Sequence, residues 1–364
     1  MKKKLPDYGI LFSVLVLLGI GIVMVYSSSS IKADQYFHDS YHFLKRQVVW
    51  AAVGTFTMMA LLKFDYWNWK LLAKPIFLVN LALLFLVLIP GIGMKINEAR
   101  RWIGFGFAQL QPSEIMKLSF VIFLAYWLSR APEGVRDFWH GLAPKMALLG
   151  LVFGLIMAEP DMGTSIAISG TVVVMLFVSG AKLRHLAGLG ASAMPLLGLL
   201  IWIAPYRWRR LTSFLNPEAD PQFSGYQIIQ SLYALGSGGL FGVGLGRSRQ
   251  KFFYLPENHT DMIFAIIGEE LGFIGGVAVI LLFFFFAWRG FKVAVDAADS
   301  FGALLAVGIT TMITLQAAIN IGVVTQSMPL TGIPLPFISY GGSNLLFTLA
   351  GIGILLNVSQ YTTR

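Results

Sequence analysis

KFFYLPENHTDMIFAIIGEELG, residues 251–272, passes from a polar, proline-containing segment straight into an apolar helix and carries Glu257, His259, Asp261, Glu269 and Glu270 across that boundary. Ionisable groups entering a membrane-like run are expensive there and mark functional positions. Whether this boundary is a membrane boundary decides the fold, and the composition answers it. Hydrophobic residues make up 56% of the 364 and charged residues 12%, far from the roughly half-apolar, quarter-charged balance of soluble domains. The chain reads as an all-α polytopic membrane protein, with residues 1–364 forming a single integral membrane domain.

At about 20 apolar residues per span, ten helices are expected, near 8–27, 47–63, 71–91, 111–129, 143–158, 164–180, 185–204, 262–288, 301–324 and 342–360. The run from Tyr8 to Tyr26 follows three lysines but is too long for a signal-peptide core and lacks a small-x-small cleavage site, so it reads as a spanning helix that stays. With this N-terminus inside, 14 of the 27 Lys and Arg residues fall on inner segments, counting Lys2 and Arg364, against six on the short outer loops. Both termini are therefore expected in the cytoplasm.

Between the seventh and eighth spans lies a long extracytoplasmic loop, 205–260, unusual in a chain of otherwise short connections. It holds Arg207, Arg209, Arg210, Arg247, Arg249 and Lys251. Its middle, Gln227 to Leu235, can form an amphipathic piece. The following GSGGLFGVGLG, residues 236–246, reads either as a nest of backbone amides for a phosphate or as a flexible loop half-inserted in the outer leaflet. The formal charge of +9 suits anionic headgroups or a phosphorylated substrate, although a positive-inside bias alone produces such a value. The absence of cysteine excludes disulfides, thiolate metal sites and cysteine nucleophiles.

Three further segments carry candidate chemistry at the same outer level. In QPSEIMKL, residues 111–118, Pro112 is placed to start a helix, and Glu114 and Lys117 at i, i+3 share a face and can neutralise each other; Arg100 and Arg101 lie just before. The turn AEPDMGTS, residues 158–165, sets Glu159 and Asp161 around a proline, and Asp161 either caps the next helix or contacts a cation. PLTGIPLPFISYGGSN, residues 329–344, places three prolines and three glycines around Ser339, Tyr340 and Ser343, and irregular backbone at membrane depth is tolerated only where protein buries it or water fills a cavity. In the opening stretch, at about 100° per residue, Asp261 and Glu269 are expected to look into one cavity while Glu270 faces other helices; capping of the helix by Asp261 is the competing reading. Together these segments imply an outer-face cavity holding carboxylates and cations, fit for an amphiphile with a phosphate head. The residues alone leave open whether that molecule is moved, bound or reacted.

The runs ARRWIGFG, QPSEIMKL, EPDMGTS, YLPENHTDMIFAIIGEELG and TGIPLPFISYGGS, in this order along essentially the whole chain, resemble the SEDS family of shape, elongation, division and sporulation proteins. MVYSSSS (24–30) and ENHTDMIF (257–264) look more like its division and sporulation branch than its rod-elongation branch. The resemblance implies a ten-helix bacterial plasma-membrane protein that polymerises glycan strands of peptidoglycan from lipid II. It implies Asp261 as the essential acidic residue, and it matches Glu114 and Lys117, Asp161 and the Ser339–Ser343 loop to the family's motifs. Arg101, Lys117, Arg249 and Lys251 become candidates for the pyrophosphate, with His259, Tyr340 and Ser343 as further substrate-binding candidates. A divalent cation, Mg²⁺ or Mn²⁺, would suit carboxylate oxygens working with substrate phosphates; no organic cofactor and no nucleic acid is expected. The implied partners are lipid II, the nascent lipid-linked glycan, membrane lipids and a class B penicillin-binding protein. Two departures stand out: Asn344 follows SYGGS where a second serine is common, and TQSMPLTG (325–332) replaces TGLLPVTG. The competing functions are a lipid II flippase and a non-catalytic scaffold.

Overall fold

A computed structural model describes residues 3–96, 99–105, 108–130, 133–220 and 224–362; Lys2 and Arg364, counted above among the inner basic residues, lie outside them. The ten expected spans are present as α1 (Tyr8–Phe37), α2 (His42–Lys63), α3 (Trp69–Leu88), α4 (Pro112–Arg130), α5 (Ala143–Ala158), α6 (Met162–Val178), α7 (Leu183–Ile203), α10 (Ile263–Asp296), α11 (Ser300–Val324) and α12 (Gly342–Ser359). Among the described residues seven of these helices are long and apolar enough to cross a membrane by themselves. The other three are α2, which opens with Lys45 and Arg46, α4, which carries Glu114 and Lys117, and α6, which has 17 residues. α4 packs inside the bundle on α3 and α11, and its neighbours rather than lipid receive its polar groups; α6 packs on α11 and α5, while α2 packs one face on α12 and leaves Lys45 and Arg46 exposed at its start. α11 and α12 form the buried centre, whereas α7 buries none of its residues.

Three features were not expected from the sequence. Residues 93–110 form an antiparallel sheet, β1 (Gly93–Ile96), β2 (Ala99–Phe105) and β3 (Ala108–Leu110), in the order β1-β2-β3. The long loop is largely helical, with α8 (Pro205–Leu215) preceding α9 (Ser224–Gly238), which contains the expected amphipathic piece. α1 continues past residue 27 to Phe37 and thereby carries Lys32 to the Asp261 end of the bundle.

The glycine-rich segment after α9 is neither a phosphate nest nor a flexible loop, because its backbone is spent on α10. That helix is broken at Gly272, whose φ of 70° and ψ of −169° are non-helical, and each helix end exposes unpaired backbone groups. The amides of Val243 and Gly244 donate to the carbonyls of Glu269 and Glu270 at 3.0 and 3.1 Å, before the break. After it, the amides of Phe273 and Ile274 donate to the carbonyls of Gly239 and Leu240 at 2.8 and 3.2 Å. The exchange satisfies the break on both sides where water is scarce. It demands close approach: a Cβ on Gly242, itself at φ 81°, would sit 2.2 Å from the Glu270 carbonyl oxygen.

The far end of the bundle is tied by aspartates. Asp299 accepts from Tyr66 Oη, Trp67 Nε1, Lys70 Nζ and the Gly302 amide at 2.9 to 3.1 Å, and Asp7 pairs with Arg289 at 2.5 Å.

Candidate active site

Asp261 sits in the turn just before α10 and does not cap it. The cap position is Met262, with no side-chain hydrogen bond, so the aspartate remains free for other work. Among the described residues its one side-chain donor is Thr260 Oγ1, at 3.2 Å. The backbone around it is held from three directions. Tyr340 N–H donates to the carbonyl of His259 at 2.9 Å. Ser339 Oγ donates to that of Thr260 at 2.5 Å, and Asn320 Nδ2 to that of Asp261 at 2.7 Å. The proline-rich segment is fixed by the same residues, since Ser339 Oγ accepts from Leu335 N–H at 2.8 Å and Asn320 Nδ2 also donates to Ile333 O at 2.8 Å. Its irregular backbone is buried in protein, with Leu335, Phe337 and Ile338 almost fully covered.

Around the carboxylate the charges are mixed. Burial and the neighbouring Glu257 push the Asp261 carboxyl up to about 7, against the pull of Arg210 and Thr260. Lys32 faces Glu257 and Asp261 as well. Arg210, on α8, anchors to Leu330 O at 3.1 Å. The position of a Cβ on Gly332 would be 3.8 Å from Asp261 Oδ2 and 3.9 Å from Arg210 Nη1, so the carboxylate and the guanidinium are no more than about 7.7 Å apart. His259 packs its ring on Phe43 and Tyr340, at centroid distances of 4.6 and 5.7 Å; burial lowers it to about 4, and it is neutral at pH 7.

Glu114 and Lys117 form a buried pair at 2.8 Å. Two amides complete it. Asn344 Nδ2 donates to Glu114 Oε2 at 2.7 Å, and Lys117 Nζ donates to Gln316 Oε1 at 2.6 Å. Gln316 Nε2 in turn donates to Pro334 O at 2.9 Å. Gln316 and Asn320, one helical turn apart on α11, therefore connect the ion pair to the proline-rich segment and to Asp261.

At the acidic turn Asp161 is a helix cap. It accepts from the Thr164 amide at 3.0 Å, and also from Thr164 Oγ1 at 2.9 Å and Gln111 Nε2 at 3.2 Å. Arg101 grips the carbonyls of Glu159, at 2.7 Å, and Pro160. The Glu159 side chain is fully buried and both its oxygens lack partners. Burial and then repulsion by Asp161 push it up to about 9, against Arg101, which keeps it neutral at pH 7.

Lys251 and Glu269 depart from the expected cavity. Lys251 is buried, with Nζ on Gly246 O at 2.5 Å and Glu270 Oε1 at 3.3 Å. Glu270 also accepts from Ser27 Oγ at 2.6 Å. Glu269 accepts from Ser248 Oγ and from the amides of Arg249 and Gln250 at 2.8 and 3.4 Å. Both glutamates thus clamp residues 248–251 onto α10, and Glu269 does not share a cavity with Asp261, because the loop covers it. Arg249 offers its backbone to this clamp while its side chain stays exposed. Ser343 Oγ donates to Gln109 O of β3 at 2.9 Å, a structural contact between the loop and the sheet.

The structure thus brings together Asp261, His259, Ser339 and Tyr340, and ties Glu114 and Lys117 to them. Sequence reasoning missed Arg210, Lys32, Gln316 and Asn320. The amides had a signal, polar side chains at i, i+4 inside an otherwise apolar helix; Arg210 was one of three arginines in a row of four residues, with nothing to single it out. Among the described residues no three His, Asp or Glu converge on one point. A divalent cation here would have Glu257 and Asp261 as its protein carboxylates and would take its remaining oxygens from substrate or water.

The family described as "Cell cycle protein", which spans FtsW, RodA and SpoVE, matches residues 8–364. The chain belongs to this family, the SEDS proteins. It is 50% identical over 361 residues to stage V sporulation protein E of Bacillus subtilis, covering 99% of both chains. It is 45% identical to the probable peptidoglycan glycosyltransferase FtsW of Trichlorobacter lovleyi, over 97% of this chain and 93% of that one. A chain from the solved structure "Structural coordination of polymerization and crosslinking by a peptidoglycan synthase complex" superposes with a TM-score of 0.82 at 32% identity, over 99% of each. Similarity to the sporulation and division members agrees with the wording of the sequence motifs.

Proposed function

We propose that this SEDS protein is a peptidoglycan glycosyltransferase that polymerises lipid II at the outer face of the plasma membrane, with both termini cytoplasmic. The observation that carries the reading is Asp261, an uncapped carboxylate pushed up to about 7 on a turn whose three carbonyls are each tied down. A general base works best with a pKa near the operating pH. In the proposed reaction Asp261 takes the proton of the acceptor's GlcNAc 4-hydroxyl. The oxygen bonds to the anomeric carbon of the lipid-linked sugar ending the growing chain, and the bond to undecaprenyl pyrophosphate breaks with inversion. General-base catalysis supplies about 10²- to 10⁴-fold, and neutralising the developing pyrophosphate charge must supply more.

Arg210 and Lys32, both facing Asp261, are proposed for that charge. Lys117 and Lys251 are committed to buried partners and Arg101 to two carbonyls, while Arg249 remains an exposed cation further off. Mg²⁺ or Mn²⁺ bound with the pyrophosphate would add positive charge at the same place. Chemistry at one face is favoured over headgroup transport because α6, α11 and α12 contain no Asp, Glu, Lys or Arg at all. The synthase complex named above supports a transpeptidase partner, a class B penicillin-binding protein.

The test is polymerisation of labelled lipid II by the purified protein with its partner, with EDTA as a second variable. Asp261→Asn is expected to abolish glycan strands while partner binding persists. Strands made at the wild-type rate would end the base assignment, and normal cell-level function of Asp261→Ala would favour a scaffold.

A further inference from the structure

At the end of the bundle opposite Asp261, the start of α3, the end of α4 and the start of α11 surround a cleft of about 450 Å³. Lys70, Tyr126, Arg130, Asp299 and Ser300 line it. Asp299 is already satisfied by four donors, among them Lys70 at 3.0 Å. Arg130 donates to Tyr126 Oη at 2.8 Å and lies over that ring; among the described residues no carboxylate lies within ion-pair distance of it. Two cations thus share the cleft with one carboxylate, leaving a net positive charge. The amino end of the 25-residue α11 adds its partial positive charge at the same place.

The cleft also has an apolar side. Leu71 lines it and is 81% exposed on a membrane-spanning helix. Leu78 and Phe85 follow at intervals of seven, 61% and 48% exposed, so one apolar stripe runs along α3 from the cleft across the bilayer. A cationic recess at the head of a lipid-facing apolar stripe is complementary to an amphiphile, with its anion in the recess and its chain along the stripe. Basic pockets between helices at the cytoplasmic side are suited to anionic headgroups, and the Lys and Arg distribution puts this end there.

We propose that this cleft binds one anionic glycerophospholipid of the inner leaflet, its phosphate between Lys70 and Arg130 and an acyl chain along Leu71, Leu78 and Phe85. The site is separate from the lipid-linked substrate, which is handled at the other end. Its consequence is mechanical: the lipid ties the inner ends of α4 and α11, whose outer ends carry Glu114, Lys117, Gln316 and Asn320.

The test uses the full chain in detergent, with phosphatidylglycerol, phosphatidylcholine or inorganic phosphate added, read by native mass spectrometry and by the shift in thermal unfolding. Arg130→Glu and the milder Arg130→Gln are suitable variants, since Arg130 is exposed and its bonded partner is a hydroxyl. The wild type is expected to retain one phosphatidylglycerol in preference to phosphatidylcholine and to be stabilised by it. Arg130→Glu should weaken that retention about tenfold and lose the stabilisation, with Arg130→Gln between. Equal retention of both lipids, or unchanged retention by Arg130→Glu, would overturn the proposal. Displacement of the lipid by millimolar inorganic phosphate would also overturn it, in favour of a soluble-anion site.

Discussion

Replacing Arg210 with alanine should move the pH dependence of polymerisation, by an amount that follows from the geometry. The guanidinium and the Asp261 carboxylate are at most about 7.7 Å apart. At an effective dielectric of about 20 such a pair is worth about 2 kcal/mol, and in fully water-like surroundings about 0.5. Both side chains are half-buried, so a value near 1.4 kcal/mol, about one pKa unit, is expected. Arg210 favours the ionised carboxylate; without it, Asp261 should titrate near 8 rather than at about 7. A base must be deprotonated to act, so the rise of kcat/KM with pH moves upward by about one unit, and at pH 7 the ionised fraction falls about fivefold. Arg210→Lys keeps the charge and should keep most of the wild-type limb.

The assay is the initial rate of labelled lipid II polymerisation at pH values from about 5 to 9, with the partner present throughout. Glu257, His259 and Lys32 face the same group from neighbouring segments and are unchanged in all three proteins. If Arg210 also holds pyrophosphate, the plateau at high pH drops by a constant factor without altering the position of the limb. A limb that stays at the wild-type pH in Arg210→Ala refutes the coupling, and a wild-type profile with no limb between pH 6 and 8 refutes Asp261 as the titrating base.

Asn320→Ala removes the donor shared by Asp261 O and Ile333 O, and the loosened turn should lower kcat by up to about 10²-fold with little change in KM; unchanged kcat would mean that the remaining anchors suffice. Lys117→Met strands the buried Glu114 and should destabilise by about 3 kcal/mol in denaturant titration, whereas Glu114→Gln combined with Lys117→Met should recover most of that loss; no recovery would place the effect outside the pair. Gly242→Ala forces a Cβ against the Glu270 carbonyl at positive φ and should cost about 1–3 kcal/mol, read as a lower unfolding temperature and protease cleavage near 240–250. Asp261→Asn should unfold at a higher temperature than the wild type at pH 8. A raised carboxyl favours the fold fully below its unfolded value, and that contribution is lost as pH rises through about 7; a lower unfolding temperature would contradict the burial of this group.

Apolar length and charge placement made all ten spans legible, including α4, whose Glu114 and Lys117 are received by neighbouring helices. What the sequence could not carry was anything set by contact between distant segments. Asp261 and Asp161 look alike as carboxylates at the start of apolar helices, and either could be a cap. Only the tertiary placement separates them: Asp161 bonds the Thr164 amide, while at α10 the cap position moves one residue on, to Met262, and leaves Asp261 uncommitted. The helical-wheel argument for Glu269 failed for a similar reason. Asp261 lies in the turn before α10 rather than on the helix, and residues 248–251 cover both glutamates. Asn344, a departure from the family's wording, proves to be a donor to Glu114, replacing a hydroxyl by an amide that reaches the buried pair.

Residues 251–272 hold two acidic sites of opposite character, and the difference explains how the second serves the first. Glu269 and Glu270 are answered by hydroxyls, backbone amides and Lys251, so their charge is spent in binding residues 246–251 to α10. Asp261, ten residues or fewer away, has a single side-chain donor among the described residues, and its turn is held instead through its carbonyls. Were its carboxylate paired like the glutamates, its pKa would fall and a base near 7 would be lost. Were its turn unanchored, the base would be mobile. Fixing the backbone while leaving the side chain, among the described residues, without an ion-pair partner meets both requirements, and the clamp at Glu269 and Glu270 supplies the rigid helix start from which that turn projects.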